Sequence, residues 1–114
     1  MGRIGEAFKS AGRPLFIAFT VSGDPDLEGS VAAARALIAG GADIIELGVP
    51  FSDPVADGPT IQRANNRALD AGDTPETVFE IVRRIRLFST VPVVLLTYYN
   101  VVHRRGITGF YRDA

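Results

Sequence analysis

Apolar positions in this chain recur with two periods, one helical and one extended, and they alternate between them. Arg3 to Ala11 carries Ile4, Ala7, Phe8 and Ala11 on one side, which predicts a short helix. Gly12 ends it and Pro14 prevents its continuation. Leu15 to Thr20 is a charge-free, β-prone run, the pattern of a strand covered on both faces. Ser22-Gly23-Asp24-Pro25 then reads as a turn that also starts a helix, with Leu27, Val31, Ala34 and Ile38 at helical spacing up to Gly40-Gly41. Asp43 to Leu47 is a second strand, followed by a long loop. A further helix is predicted over Thr60 to Ala71, with Ile61, Ala64, Ala68 and Leu69 as its buried stripe and Gly72 as its stop. Thr74-Pro75 restarts the chain as a helix whose apolar face is Val78, Phe79, Val82 and Ile85. Pro92 to Thr97 is a third charge-free strand. Tyr98 to Arg105 reads as a loop, and Ile107 to Ala114 as the beginning of another helix.

Strands separated by helical segments mean parallel strands with helical crossovers, so the fold class is α/β. Three strands are too few for a finished parallel sheet, which needs both faces covered and leaves unpaired backbone at its edges. A parallel (β/α)₈ TIM-type barrel takes about 250 residues. Residues 1–114 therefore read as the N-terminal part of a single barrel domain: a first helix and about three βα units.

Composition narrows the function classes. With 46% hydrophobic residues the chain can build one modest core. Twelve Lys and Arg stand against thirteen Asp and Glu, a net charge of −1 without blocks of either sign, which argues against nucleic acid or an acidic membrane as partner. The absence of cysteine removes disulfides and thiolate metal sites and fits a reducing compartment. No run is long enough for a signal peptide or a membrane span, so a cytoplasmic location is expected.

Glu46 sits inside the apolar strand IIELG, where an unpaired charge is costly to bury. Side chains alternate across a strand, so Ile44, Glu46 and Gly48 share one face and Ile45 and Leu47 the other. In a barrel the bulky pair meets the helices, which aims Glu46 inward at the C-terminal end, where barrel enzymes keep their active sites. The same alternation makes Phe19, Leu96 and Tyr98 walls of that pocket. An apolar wall should raise the pKa of Glu46 toward the range of a proton carrier. The alternative is a structural carboxylate bonded to a backbone N–H or an Arg. Asp53 before Pro54 and Asp57 before Gly58 are, on their own, ordinary turn residues. His103, beside Arg104 and Arg105, reads as a solvated loop residue. One His and scattered carboxylates give no metal-ligand spacing, and no phosphate-binding glycine motif is present.

The run ELGVPFSDPVADGPTIQRA closely resembles the signature of the tryptophan synthase alpha subunit family, a (β/α)₈-barrel lyase. FIAFTVSGDPD, GADIIELG and VVLLTYYN resemble that family's first three strands. The resemblance implies retro-aldol cleavage of indole-3-glycerol phosphate to indole and glyceraldehyde 3-phosphate, with Glu46 at the position of the general acid–base and Asp57 at that of the second catalytic carboxylate. It implies that Phe19, Leu96 and Tyr98 flank the indole ring. It further implies a beta subunit partner, with Asp53, Pro54 and Asn100 near that contact. The step needs no metal or cofactor; pyridoxal phosphate is expected only in the beta subunit. The family holds the substrate phosphate late in the barrel, outside this sequence, so the lyase activity is assigned to a complete chain. The non-enzymatic alternative is a partial barrel that self-associates or binds a partner through its apolar inner face.

Overall fold

The computed structural model describes residues 2–114. One sheet contains β1 (Ile17–Val21), β2 (Ile44–Gly48) and β3 (Val93–Leu96), all parallel, in the order β1-β2-β3. The helices are α1 (Arg3–Ala11), α2 (Leu27–Ala39), α3 (Pro59–Asp70), α4 (Pro75–Arg86), α5 (Tyr99–Arg105) and α6 (Ile107–Asp113).

The alternation along β2 decides which face is covered. Ile45 and Leu47 are fully buried against Ala34 of α2 and Ile81 and Ile85 of α4, together with Ala18 of β1. The other face carries Phe19, Glu46 and Val94 side by side in register. Much of it is open: Ile17 is 46%, Phe19 37% and Leu96 51% exposed. Its C-terminal end is roofed, where Val21 packs against Ile61, Ala64 and Ala68 of α3, and Ile44 at its other end is buried. Helices on one face and an open concave face make this a partial (β/α) barrel.

A clasp at the opposite, N-terminal end joins β1 to β2. Arg13 donates through both guanidinium nitrogens to the Asp43 carboxylate, at 3.0 and 2.7 Å, and the Phe16 N–H donates to the same carboxylate at 2.8 Å. In return the Phe16 carbonyl accepts from the N–H groups of Asp43 (2.8 Å) and Ile44 (3.3 Å). The Arg13 hydrogen bond, then that of the Phe16 N–H, holds the Asp43 carboxyl down at about 2. This clasp explains a boundary correction. Expected strands at Leu15 and Asp43 start instead at Ile17 and Ile44, because the preceding residues spend their polar groups on the clasp.

Helix ends follow the local chemistry. Asp26 caps α2 by accepting from the Gly29 N–H at 2.7 Å. Thr74 and Thr77 form a reciprocal capping box at the start of α4, with Pro75 in the first turn. One expectation fails. Tyr98 to Arg105 is not a loop: Tyr99–Arg105 is α5, whose buried Val101 and Val102 are adjacent in sequence and give no helical period. Its basic run, His103 to Arg105, lies in the last turn, where positive charge complements the helix dipole. The expected helix at Arg3 to Ala11 forms as α1, with Ile4 and Phe8 of its apolar side 43% and 57% exposed.

Candidate active site

The C-terminal end of the strands opens into a cavity of about 450 Å³, bounded by Phe19, Gly48, Asp57, Asn65, Leu96 and Tyr98 among others. Its shape depends on one missing atom. A Cβ on Gly48 would lie 2.8 Å from Cζ of Phe19, so only glycine lets the Phe19 ring lie across the end of β2. Glu46 does not line this cavity. It lies two residues deeper on the same face of β2, roughly 6–7 Å along the strand, between Phe19 and Val94. It is half-buried, and no ion pair among the described residues involves it.

Asp57 reaches the cavity from the loop between β2 and α3. The loop turns back on itself through the Asp57 N–H to the Pro54 carbonyl (3.1 Å), and Gln62 Nε2 donates to the Asp57 carbonyl (2.8 Å). Gly58 and Pro59 start α3 immediately afterwards, which sets Asp57 beside the positive end of that helix. The Ala56 N–H donates to the Tyr98 hydroxyl at 3.0 Å, and that hydroxyl donates to Asp57 Oδ2 at 3.1 Å. Asn65 Nδ2 donates to the same Oδ2 at 3.4 Å, so both side-chain donors fall on one oxygen. Burial, with the Asp57 carboxylate nearby, pushes the Tyr98 hydroxyl above its usual range, which keeps it a donor. Phe51 stacks on the Tyr98 ring with centroids 5.3 Å apart and ties down the start of the loop.

The structure thus brings Phe19, Asp57, Leu96 and Tyr98 around one space, with Glu46 beneath it. It does not bring the other named residues there. Asp53 is exposed in the loop, and Pro54 is half-buried with its carbonyl turned to Asp57 and Gln62. Asn100, in α5, borders a separate cavity of about 440 Å³ with Pro50, Phe51 and Ser52. Asn65 and Phe51 were not expected from the sequence. For Asn65 a signal existed: it stands four residues after Ile61 and three before Ala68, an amide on the buried side of α3, and is 3% exposed. Among the described residues no group of three or more His, Asp or Glu is placed to hold a metal ion, and no helix is long and apolar enough to cross a membrane.

Comparison with known proteins gives a consistent result. The pattern of the tryptophan synthase alpha chain family matches residues 6–114. The tryptophan synthase alpha chain of Methanoregula boonei is 61% identical over the whole of this chain, which spans 43% of that relative; that of Opitutus terrae is 53% identical, with 44% of it spanned. Among solved structures, an aminoacrylate-bound tryptophan synthase from M. tuberculosis superposes on 99% of this chain with a TM-score of 0.92 and 41% identity, over 47% of its own chain. Tryptophan synthase subunit alpha from Legionella pneumophila superposes with a TM-score of 0.93 and 36% identity, over 45% of its length. The chain therefore spans less than half the length of the curated relatives it matches.

Proposed function

Because the chain belongs to the tryptophan synthase alpha chain family, we propose that it carries the proton-transfer residues of a carbon–carbon lyase that cleaves indole-3-glycerol phosphate to indole and glyceraldehyde 3-phosphate. The observation that carries this reading is the pairing of Asp57, held by two donors on Oδ2, with an apolar cavity above Glu46. An indole ring fits between the Phe19, Leu96 and Tyr98 walls. Its N–H then meets Oδ1 of Asp57, the oxygen that neither Tyr98 nor Asn65 engages.

The chemistry follows from these positions. Indole leaves only after its C3 is protonated, and Glu46 is the group that delivers this proton. Positive charge then develops toward the ring N–H, and the Asp57 carboxylate stabilises it. The hydroxyl on the adjacent glycerol carbon gives up its proton to Glu46. Its O–H electron pair becomes the carbonyl π bond of the aldehyde. The electrons of the breaking carbon–carbon bond return to the ring as neutral indole. One carboxyl thus gives and takes a proton, which is why its protonation state governs the rate.

The partner proposed for the complete alpha chain is the beta subunit, reached through Asp53, Pro54 and Asn100; the related Pyrococcus furiosus protein is described as an α2β2 complex. The test joins residues 1–114 to the remainder of a relative's alpha chain and measures indole release from indole-3-glycerol phosphate, with and without beta subunit. Release is expected; none in either condition would overturn the lyase reading.

A second reading concerns the 114 residues alone. The open inner face, with Ile17, Phe19 and Leu96 exposed, and a hollow of about 700 Å³ beside β3 bordered by Phe79, Val82 and Phe110, favour self-association. Sedimentation velocity of the isolated chain is expected to show dimers or larger species at tens of micromolar. A monomer that persists to high concentration would rule this out.

A further inference from the structure

Asp73 is a buried carboxyl with no part in the proposed reaction, and local geometry dictates its burial. α3 ends in a Schellman motif. The Asp73 N–H reaches back to the Ala68 carbonyl and the Gly72 N–H to that of Leu69, each at 3.0 Å, and Gly72 takes a φ of 93°. The residue after such a glycine ordinarily makes an apolar contact with the helix just completed. Here that position holds a carboxylic acid. Asp73 is 9% exposed, and its Oδ1 is enclosed without a hydrogen-bond partner. The carboxyl presses on Gly23 in the turn between β1 and α2. At Gly23, φ is +83°, and a Cβ would stand 2.1 Å from Asp73 Oδ1 and 2.8 Å from Cγ. Three elements therefore meet on one carboxyl: the turn after β1, the end of α3 and the start of α4.

The charged groups around this junction are committed elsewhere or lie to one side. In the turn, Asp24 is gripped by Arg67 of α3 at 2.8 and 3.0 Å, and Asp26 caps α2. Asp70, in the last turn of α3, is exposed. In α4, Glu76 pairs with Arg105 of α5, which also holds Asp113. Arg104 of α5 is exposed and borders the same 440 Å³ cavity as Asp73. Burial alone pushes the Asp73 carboxyl from 3.8 up to about 7.

We propose that Asp73 is a pH-operated latch: neutral, it keeps the β1–α2 turn seated on the α3–α4 junction, and on ionisation it leaves Gly23 for water and frees that turn. Pro50, Phe51 and Ser52, in the loop that carries Asp57, border the same cavity as Asp73. The latch does not depend on the lyase reading and is tested without activity.

Between 3.8 and about 7 the folded chain holds a proton that the unfolded chain has lost. Stability from this group is therefore complete below about pH 4, falls as pH rises, and levels off above about 7. Urea unfolding across this range compares the wild type with Asp73→Asn and Asp73→Leu, the latter restoring the apolar contact. Carbon-13 carboxyl titration of wild-type Asp73 needs no variant. Relative to either variant, the wild-type folding constant is expected to fall about tenfold per pH unit between roughly pH 5 and 7. Amide protection at Asp24, whose N–H is bonded to the Val21 carbonyl, and at Asp73 should fall over the same interval in the wild type only, with the carboxyl titrating near 7. Parallel stability profiles, or an Asp73 carboxyl that titrates near 4, would overturn the proposal.

Discussion

Glu46→Gln in a complete alpha chain carrying these residues is expected to reduce indole release about 10²- to 10⁴-fold, the usual contribution of a positioned acid–base group. Glutamine keeps the size of the side chain and its place between Phe19 and Val94, so the walls of the cavity survive. What it would lose, in the proposed mechanism, is the proton for the indole and the base that takes one from the glycerol hydroxyl. The loss should appear in kcat, with KM nearly unchanged, because the ring and the phosphate still bind. Steady-state kinetics across pH decides this; a Glu46→Gln enzyme with at least a tenth of wild-type kcat would remove Glu46 from the mechanism.

Asp57→Asn is expected to cost about 10²- to 10³-fold in kcat/KM, comparable to removing one preorganised electrostatic group. The geometry makes this substitution harsher than the loss of a charge alone. Tyr98 and Asn65 both donate to Oδ2 at 3.1 and 3.4 Å, so they select the carbonyl oxygen of an introduced asparagine. Its NH₂ is then left facing the indole N–H, donor against donor. Tyr98→Phe separates the two contributions: it removes one donor and the Ala56 N–H contact but leaves the carboxylate in place. Asp57→Asn should therefore fall well below Tyr98→Phe. Equal kcat/KM for Asp57→Asn and wild type would show that the carboxylate does not act on the ring.

Much of the architecture was legible because it rests on period and punctuation. Ile45 and Leu47 against Glu46 is a period-two statement, and the sheet honours it: the pair is fully buried under α2 and α4, and Glu46 lies on the open face. Thr74-Pro75 marked the start of α4 because Thr caps and Pro tolerates a first turn. Features that depend on residues distant in sequence were not legible. The chain from the Ala56 N–H through the Tyr98 hydroxyl to Asp57 spans a loop and the end of another strand, and nothing local encodes it. Asn65 hid in plain view as a polar residue at a buried helical position. α5 escaped because its buried residues are neighbours, not a stripe, and Asp73 because a Schellman motif, not hydrophobicity, turns it inward.

The Arg13–Asp43 clasp lies at the far end of the sheet from the cavity, yet it bears on how Glu46 and Phe19 stand beside each other. By pinning Phe16 against Asp43 it fixes which residue of β1 stands beside which residue of β2. A one-residue slip would turn Glu46 into the helix layer; a two-residue slip would part it from Phe19 by a full pleat repeat. The alignment of Glu46 with Phe19 thus rests in part on an ion pair at the other end of the sheet.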